Sequence, residues 1–393
     1  MNQPLITRML QRDTAEQERE GYGHTLREIL QQPATLFDTC ERTLARASDL
    51  EQSLRDVRSI VLTGSGSSEY AGGCVTLALQ QELGIIAQSV SSGSILTHGT
   101  RALPPLRPTL LVSLARSGDS PESVGAVQLL LEADPQIRHL AVTCSAAGQL
   151  ATRFRDEPRV QLLTLDDRTN DRSLVMTSSF SSLVIAARVL GLLSAPDRYR
   201  ALCRQLSNIF QSVLDRYIDA LASAIDRNFD RAVFLGSGAN TAAAKEAALK
   251  MLEMTAGRVG TLAESYLGLR HGPMSYLNGH TLVVCFLSYK PRVRLYEIDL
   301  IRELNRKSIV GAKVIVGEDI PAELLRQQDV AIESAGMNSM GYEDGCLVHV
   351  LVGQLLAFFR CRKEGLRPDS PSESGVISRV VESFPLHLDG ATP

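Results

Sequence analysis

The sequence predicts an α/β protein made of two tandem halves, each a parallel sheet flanked by helices, behind an N-terminal helical segment. Three observations predict it. Short β-branched apolar runs alternate with amphipathic stretches of about 10 to 15 residues, the spacing of strand–helix–strand units. Several of the runs end in Gly/Ser turns. The series then recurs: Arg58 to Gly66 is echoed by Arg231 to Gly238, Thr109 to Leu114 by His280 to Leu287, and His139 to Cys144 by Ala312 to Gly317. Each echo lies about 172 residues on, and a constant offset across three elements marks an internal duplication. Parallel strands need helical crossovers, so helices on both faces of each sheet follow.

Taken in order, residues 1–50 are rich in Glu, Gln, Arg and Leu and read as helical, with Thr25 to Gln31 halting before Pro33. The first half is expected over 51–212. Its first strand, Arg58 to Thr63, ends in Gly64-Ser65-Gly66-Ser67-Ser68 and hands over to a helix from Tyr70 to Leu83. Thr109 to Ser113 repeats the design, with a turn at Arg116 to Ser120 and a helix entered through Pro121. His139 to Cys144 is a third strand of the same kind. Residues 195–229 form a charged, Leu/Ile-punctuated helical connector without a Gly/Pro linker, which predicts halves packed on one another rather than strung as beads. The second half and a C-terminal tail fill 213–393.

Composition narrows the function. At 393 residues the chain exceeds what one core organises, and 44% hydrophobic with 22% charged residues excludes a mostly disordered protein. Basic and acidic residues number 41 and 44, so no net positive field exists to hold nucleic acid or an anionic membrane. The absence of Trp and 5% aromatics weigh against base-stacking surfaces. The N-terminus lacks an apolar h-region and no apolar run approaches the roughly 18 residues of a membrane span, so a cytoplasmic location is expected. Seven cysteines are scattered and never spaced C-x-x-C, which fits core positions in a reducing compartment and offers no metal framework. The six histidines other than His271 stand singly, without H-x-x-x-H spacing, and are read as structural. Neither G-x-G-x-x-G nor a Walker pattern is present, so no nucleotide cofactor is expected. Small-molecule chemistry remains.

Ligands of open parallel sheets bind beyond the carboxyl ends of the strands, where loop N–H groups and helix N-termini favour anions. The loops Gly64 to Ser68 and Ala115 to Ser120 place glycine and hydroxyls there, and Thr177-Ser178-Ser179 adds a third cluster. Such residues also populate ordinary turns and caps, but three clusters in one half favour a phosphate. The second half has Ser288-Tyr289-Lys290-Pro291 instead of the Ser117 loop. Its chemistry gathers elsewhere. Glu246, Lys250 and Glu253 fall at i, i+4 and i+7, one helix face, an arrangement that also suits a solvated salt-bridged surface. Glu264, Arg270 and His271 then crowd one Gly-broken segment ending in Gly272-Pro273, a poor setting for core filling.

Glu246-x-x-x-Lys250-x-x-Glu253, Glu264-x-Tyr266 and His271-Gly272-Pro273 resemble the sugar isomerase (SIS) family, and the duplication resembles its two-SIS-domain members. Thr169 to Ser173, Met176 to Phe180 and Ser374 to Val381 resemble one branch, the galactosamine-6-phosphate deaminase/isomerases or tagatose-6-phosphate ketose/aldose isomerases. The resemblance spans about residues 20–385. It implies doubly wound, flavodoxin-like halves and a phosphate held by Gly64, Ser65, Ser67, Ser68, Ser117 and Ser120, with Arg116, Thr177, Ser178 and Arg379 beside it. It also implies Glu253 as the base moving a proton between C2 and C1, Lys250 and Glu246 orienting base or open-chain sugar, and His271 assisting ring opening, supplied by a neighbouring subunit of a homodimer or larger homo-oligomer. Arg379 stands where the family's synthase has lysine, and Ala115-Arg116-Ser117 where it has Ser-Gln-Ser. No glutaminase domain or ammonia donor is built in, which favours ammonia release. The implied reaction converts galactosamine 6-phosphate to tagatose 6-phosphate and ammonia, without metal or redox cofactor. Plain tagatose 6-phosphate isomerisation, glucosamine 6-phosphate deamination and a non-enzymatic sugar-phosphate sensor are the alternatives.

Overall fold

The computed structural model describes residues 5–341 and 344–387. Five helices lead the chain, α1 (Leu5–Gln11), α2 (Thr14–Glu20), α3 (Gly23–Leu30), α4 (Gln32–Leu44) and α5 (Ala47–Leu54). Then follow β1 (Ser59–Gly64), α6 (Ser67–Leu83), β2 (Ile86–Ser91), α7 (Ser92–His98), β3 (Thr109–Ala115), α8 (Pro121–Ala133), β4 (Ile137–Thr143), α9 (Gln149–Arg153), β5 (Val160–Thr164) and α10 (Ser178–Arg188). The long α11 (Pro196–Ile225) precedes β6 (Arg231–Leu235), α12 (Ala239–Met254), β7 (Gly260–Glu264), β8 (Thr281–Phe286), α13 (Pro291–Lys307), β9 (Ala312–Gly317), β10 (Val330–Glu333) and α14 (Cys346–Lys363).

The strands form two all-parallel five-stranded sheets, ordered β2-β1-β3-β4-β5 and β7-β6-β8-β9-β10, the same doubly wound order twice. Register in the first runs Ser59 opposite both Ile86 and Thr109. The central strands β1, β3, β8 and β9 are buried along their whole length, as helices on both faces require. Sequence reading found these and missed the edge strands β2, β5, β7 and β10. Those are short, partly exposed and interrupted by polar or small residues, so their apolar period is weak.

Packing groups the chain into two compact units. The first carries β1–β5 and gathers Ala34–Asp171, Ser178–Arg204 and the segment from Ile377 on. The second carries β6–β10 and gathers the N-terminal segment through Pro33, Arg172–Thr177 and Gln205–Val376. These groupings differ from the continuous stretches 1–50, 51–212 and 213–393. Helices α1 to α3 belong to the second unit, and α5 with most of α4 to the first; Thr25 of α3 donates its backbone N–H and its hydroxyl to Asp369 Oδ1, both at 2.7 Å. Gln32 Nε2 donates to Gln354 Oε1 at 2.8 Å, and Glu28 accepts from the backbone of Arg172 at 2.5 Å. Each unit has its own apolar core, Val61, Leu111 and Val127 in one, Val233, Val283 and Ile315 in the other. All seven cysteines are buried free thiols. Among the described residues no helix is long and apolar enough to cross a membrane.

Candidate functional site

In the first unit the strand order reverses between β1 and β3, and the loops leaving these two strands carry Ser65 and Ser117. A reversal of this kind opens the crevice where ligands of doubly wound sheets bind. After β1 the chain turns through Gly66, at φ 56° and ψ −124°, a backbone that disfavours any Cβ, and enters α6 at Ser67. Gly64 is equally constrained, since a Cβ there would meet Ser68 Cβ at 2.4 Å. Ser67 and Ser68 are buried at the N-terminus of α6, and the buried hydroxyl of Ser65 has no hydrogen-bond partner among the described residues. An unpartnered buried hydroxyl beside a helix N-terminus is a ready phosphate ligand.

The second loop packs against α9. Ser117 Oγ accepts from the Asp119 N–H at 3.2 Å, Gly118 O accepts from Leu150 N at 2.8 Å, and Asp119 Oδ1 accepts from Gln149 N at 3.0 Å. Ser120 is the N-cap residue of α8, with Pro121 in its first turn. Behind the loop, the buried Arg116 donates to the carbonyl of Arg379, and Arg379 in turn donates from Nε to Asp171 O at 2.7 Å and from its guanidinium to Asn170 Oδ1 at 2.6 Å. Asp171 also caps α10, accepting from Ser178 Oγ at 2.5 Å, Ser179 N at 2.9 Å and Ser179 Oγ at 2.5 Å. Arg379 and Ser178 are therefore held in a network that braces the loop. Thr177 is fully buried, and its carbonyl accepts from Gln354 Nε2 at 3.3 Å within the second unit.

Sequence reading quoted Asp171 only as part of the Thr169 to Ser173 motif, with no role of its own, and passed over Gly148. Asp171 organises helix α10 and the tail alike. A Cβ at Gly148 would lie 1.9 Å from Ser117 O, so only glycine allows α9 to support the loop. Nothing in local spacing marks either.

In the second unit α12 carries the trio. Lys250 Nζ lies 3.4 Å from Glu246 Oε1 and 2.5 Å from Glu253 Oε2. The Glu246 and Lys250 side chains are 0% and 1% exposed, and Glu253 is 24% exposed. The face is thus an interior one and not a solvated surface. Its burial comes from α14, which approaches closely because Gly353 has no Cβ: one would sit 2.4 Å from Ala247 Cβ. The same helix pair holds His349 against Asn240, Nδ1 to Oδ1 at 2.9 Å, and burial pushes its imidazole down to about 3.

The Glu264–His271 segment opens out. Glu264 Oε1 accepts from Ser265 N at 2.7 Å, Arg270 turns to Glu303 at 2.8 Å, and Tyr266, 1% exposed, donates to Phe286 O at 3.1 Å. His271 is exposed, follows a 3-10 turn, and shares no hydrogen bond or ion pair with the trio. The loop after β8 keeps the turn of its counterpart, with Ser288 Oγ accepting from Lys290 N at 3.2 Å. Its Ser288 N–H, however, is taken by the fully buried carboxylate of Glu297 at 2.7 Å. Among the described residues, no group of three His, Cys, Asp or Glu side chains is placed to hold a metal ion.

Two doubly wound sheets, hydroxyl-lined loops at one switch point and a carboxylate–lysine helix are the architecture of the phosphosugar isomerase, or SIS, proteins. The chain is 36% identical over 93% of its length to a Streptomyces coelicolor protein provisionally named D-galactosamine-6-phosphate deaminase AgaS, covering 95% of it. To the D-galactosamine-6-phosphate deaminase AgaS of a Shewanella species it is 34% identical, with 93% and 92% of the two chains aligned. The solved tagatose-6-phosphate ketose/aldose isomerase of Escherichia coli superposes with a TM-score of 0.83 at 30% identity, over 90% of this chain and 96% of that one. No family model matches the sequence. The chain belongs to the AgaS family.

Proposed function

We propose that the protein is a deaminating aldose–ketose isomerase acting on galactosamine 6-phosphate to give tagatose 6-phosphate and ammonia. The loops at Ser65 and Ser117 hold the phosphate, helped by Ser67, Ser68 and Ser120. Glu253 takes the C2 proton of the open-chain amino aldose as O1 gains a proton, forming the enolamine. Returning a proton to C1 gives the ketimine, and water hydrolyses it to ketose and ammonia. The observation that carries this reading is the Glu253 carboxylate, partly shielded and anchored at 2.5 Å to a lysine that is itself buried. A shielded, positioned carboxylate is what proton transfer at carbon needs.

The matching sheet orders, and Gly66 and Gly238 with φ/ψ of 56°/−124° and 61°/−128°, support an internal repeat whose halves are 51–212 and 213–393. Seven unpaired thiols support a cytoplasmic setting. The enzyme acts as a homodimer or larger homo-oligomer in which the exposed His271 assists ring opening for a neighbouring copy. Plain tagatose 6-phosphate isomerisation is the second reading, favoured by the name of the solved Escherichia coli relative.

The test is ammonia release from galactosamine 6-phosphate and, separately, glucosamine 6-phosphate. Release from the galacto sugar is expected, falling about 10²- to 10⁴-fold in Glu253→Gln with the fold intact. Mixing Glu253→Gln with His271→Ala protein is expected to restore part of the activity if the histidine crosses between copies. An unchanged rate in Glu253→Gln removes it as the base, and interconversion of tagatose 6-phosphate without ammonia release selects the second reading.

A further inference from the structure

The first unit has a second polar cavity, at the opposite end of its sheet from the Ser65 and Ser117 loops. It opens where β4 and β5 begin, has a volume of about 880 Å³, and is bounded by α5 and the turn at 155–159. That volume lies in the range of small-molecule sites, roughly 300 to 1,000 Å³. Five arginines line it, Arg46, Arg55, Arg138, Arg155 and Arg159, against a single carboxylate, Asp49. Arg46 is paired with that Asp49 at 2.6 Å, Arg159 with Glu157 at 3.3 Å, and Arg138 donates to the carbonyls of Ser53 and Arg55. Arg55 and Arg155 have no ion pair among the described residues.

At the edge of this basic ring stands His139. It is 2% exposed, and neither ring nitrogen has a hydrogen-bond partner among the described residues. Both nitrogens are closed off from solvent, so the imidazole backs the arginine set without reaching into the cavity. Burial, and the nearby Arg159, push the imidazole down to about 4, so at neutral pH the ring is uncharged.

We propose that this cavity is a binding site for a multiply phosphorylated small metabolite, a sugar bisphosphate or pyrophosphate-type ligand, distinct from the sugar-phosphate loops. Arg55 and Arg155, which lack an ion pair among the described residues, leave the lining with a positive excess that a polyanion neutralises. Guanidinium forks match phosphate oxygens in geometry as well as charge. The lining contains no Phe, Tyr or Trp, so it offers no large ring on which a nucleotide base would stack. Two phosphates are needed to engage arginines brought in by three separate segments, α5 with its C-cap, the start of β4, and the turn at 155–159. The proposal does not depend on which sugar phosphate the enzyme converts.

The full chain is titrated calorimetrically with fructose 1,6-bisphosphate and with inorganic pyrophosphate at physiological salt, with orthophosphate, sulfate and ATP as further arms. Both diphosphorylated probes are expected to bind, with orthophosphate and sulfate far weaker. The double variant Arg55→Ser/Arg155→Ser, which touches no ion pair and is checked by circular dichroism, is expected to weaken binding by about tenfold or more, the loss of one charge-assisted hydrogen bond. Ser117→Ala is expected to leave it unchanged. The proposal is overturned by absence of binding in the intact chain, by equal affinity in the arginine variant, by loss of binding in Ser117→Ala, or by ATP binding more tightly than pyrophosphate.

Discussion

Replacing Lys250 by Met tests whether the trio on α12 is an interior charge cluster. The substitution keeps the length of the side chain and deletes the ammonium that stands 3.4 Å from Glu246 and 2.5 Å from Glu253. Glu253, 24% exposed, recovers hydration, so its contribution is heavily discounted. Glu246, 0% exposed, does not, and breaking a buried pair by removing one partner costs about 3 to 5 kcal/mol. A net loss of about 3 kcal/mol at pH 7 follows. For a unit near 200 residues each kcal/mol moves the melting midpoint by roughly 2 to 4 °C, so the transition drops by about 6 to 12 °C. Far-ultraviolet circular dichroism follows it, because the chain has no Trp to serve as a fluorescence reporter. The double variant Lys250→Met/Glu246→Gln, which removes the stranded charge as well, recovers about 2 kcal/mol of the loss. A single variant costing under about 1 kcal/mol, or a double variant no more stable than the single, refutes the reasoning.

Gly148→Ala forces a methyl to within 1.9 Å of Ser117 O; the loop shifts, and the KM for the sugar phosphate is expected to rise about tenfold or more with kcat less affected, as steady-state kinetics will show. His349, fully buried, titrates near 3 when folded against 6.5 as its ordinary value. A base whose folded value is depressed binds its proton only in the unfolded chain across that window, so stability falls as pH drops from 6.5 toward 3, by about 1.4 kcal/mol per pH unit per group. His139, depressed to about 4, adds its own proton between 6.5 and 4. Urea unfolding at pH 4.5 and 6 measures the slope, and His349→Gln is expected to reduce it by one proton's worth; an unchanged slope would show that the imidazole is not held neutral.

The central strands and the two serine loops were legible because they are local: a run such as Ile60-Val61-Leu62 fixes a buried strand, and Gly64 to Ser68 fixes the turn that follows. The spacing of Glu246, Lys250 and Glu253 was equally plain. Its burial was not, because it depends on Gly353, a hundred or so residues downstream on a helix whose approach no local pattern specifies. The allegiance of the N-terminal helices was hidden for the same reason, resting on Thr25 reaching Asp369 across 344 positions. Arg379 shows the limit in another form. The sequence placed a cation in the tail, and long-range geometry decided that its guanidinium serves the Asn170 and Asp171 oxygens.

The Glu297 side chain is tethered to the loop it fills, so the Ser288 N–H meets it at an effective concentration that a free metabolite does not reach. The second switch point carries its own side-chain carboxyl group, a plug of fixed stoichiometry. At the first switch point no such side chain intrudes among the described bonds, and the Ser65 hydroxyl stays without a hydrogen-bond partner among the described residues.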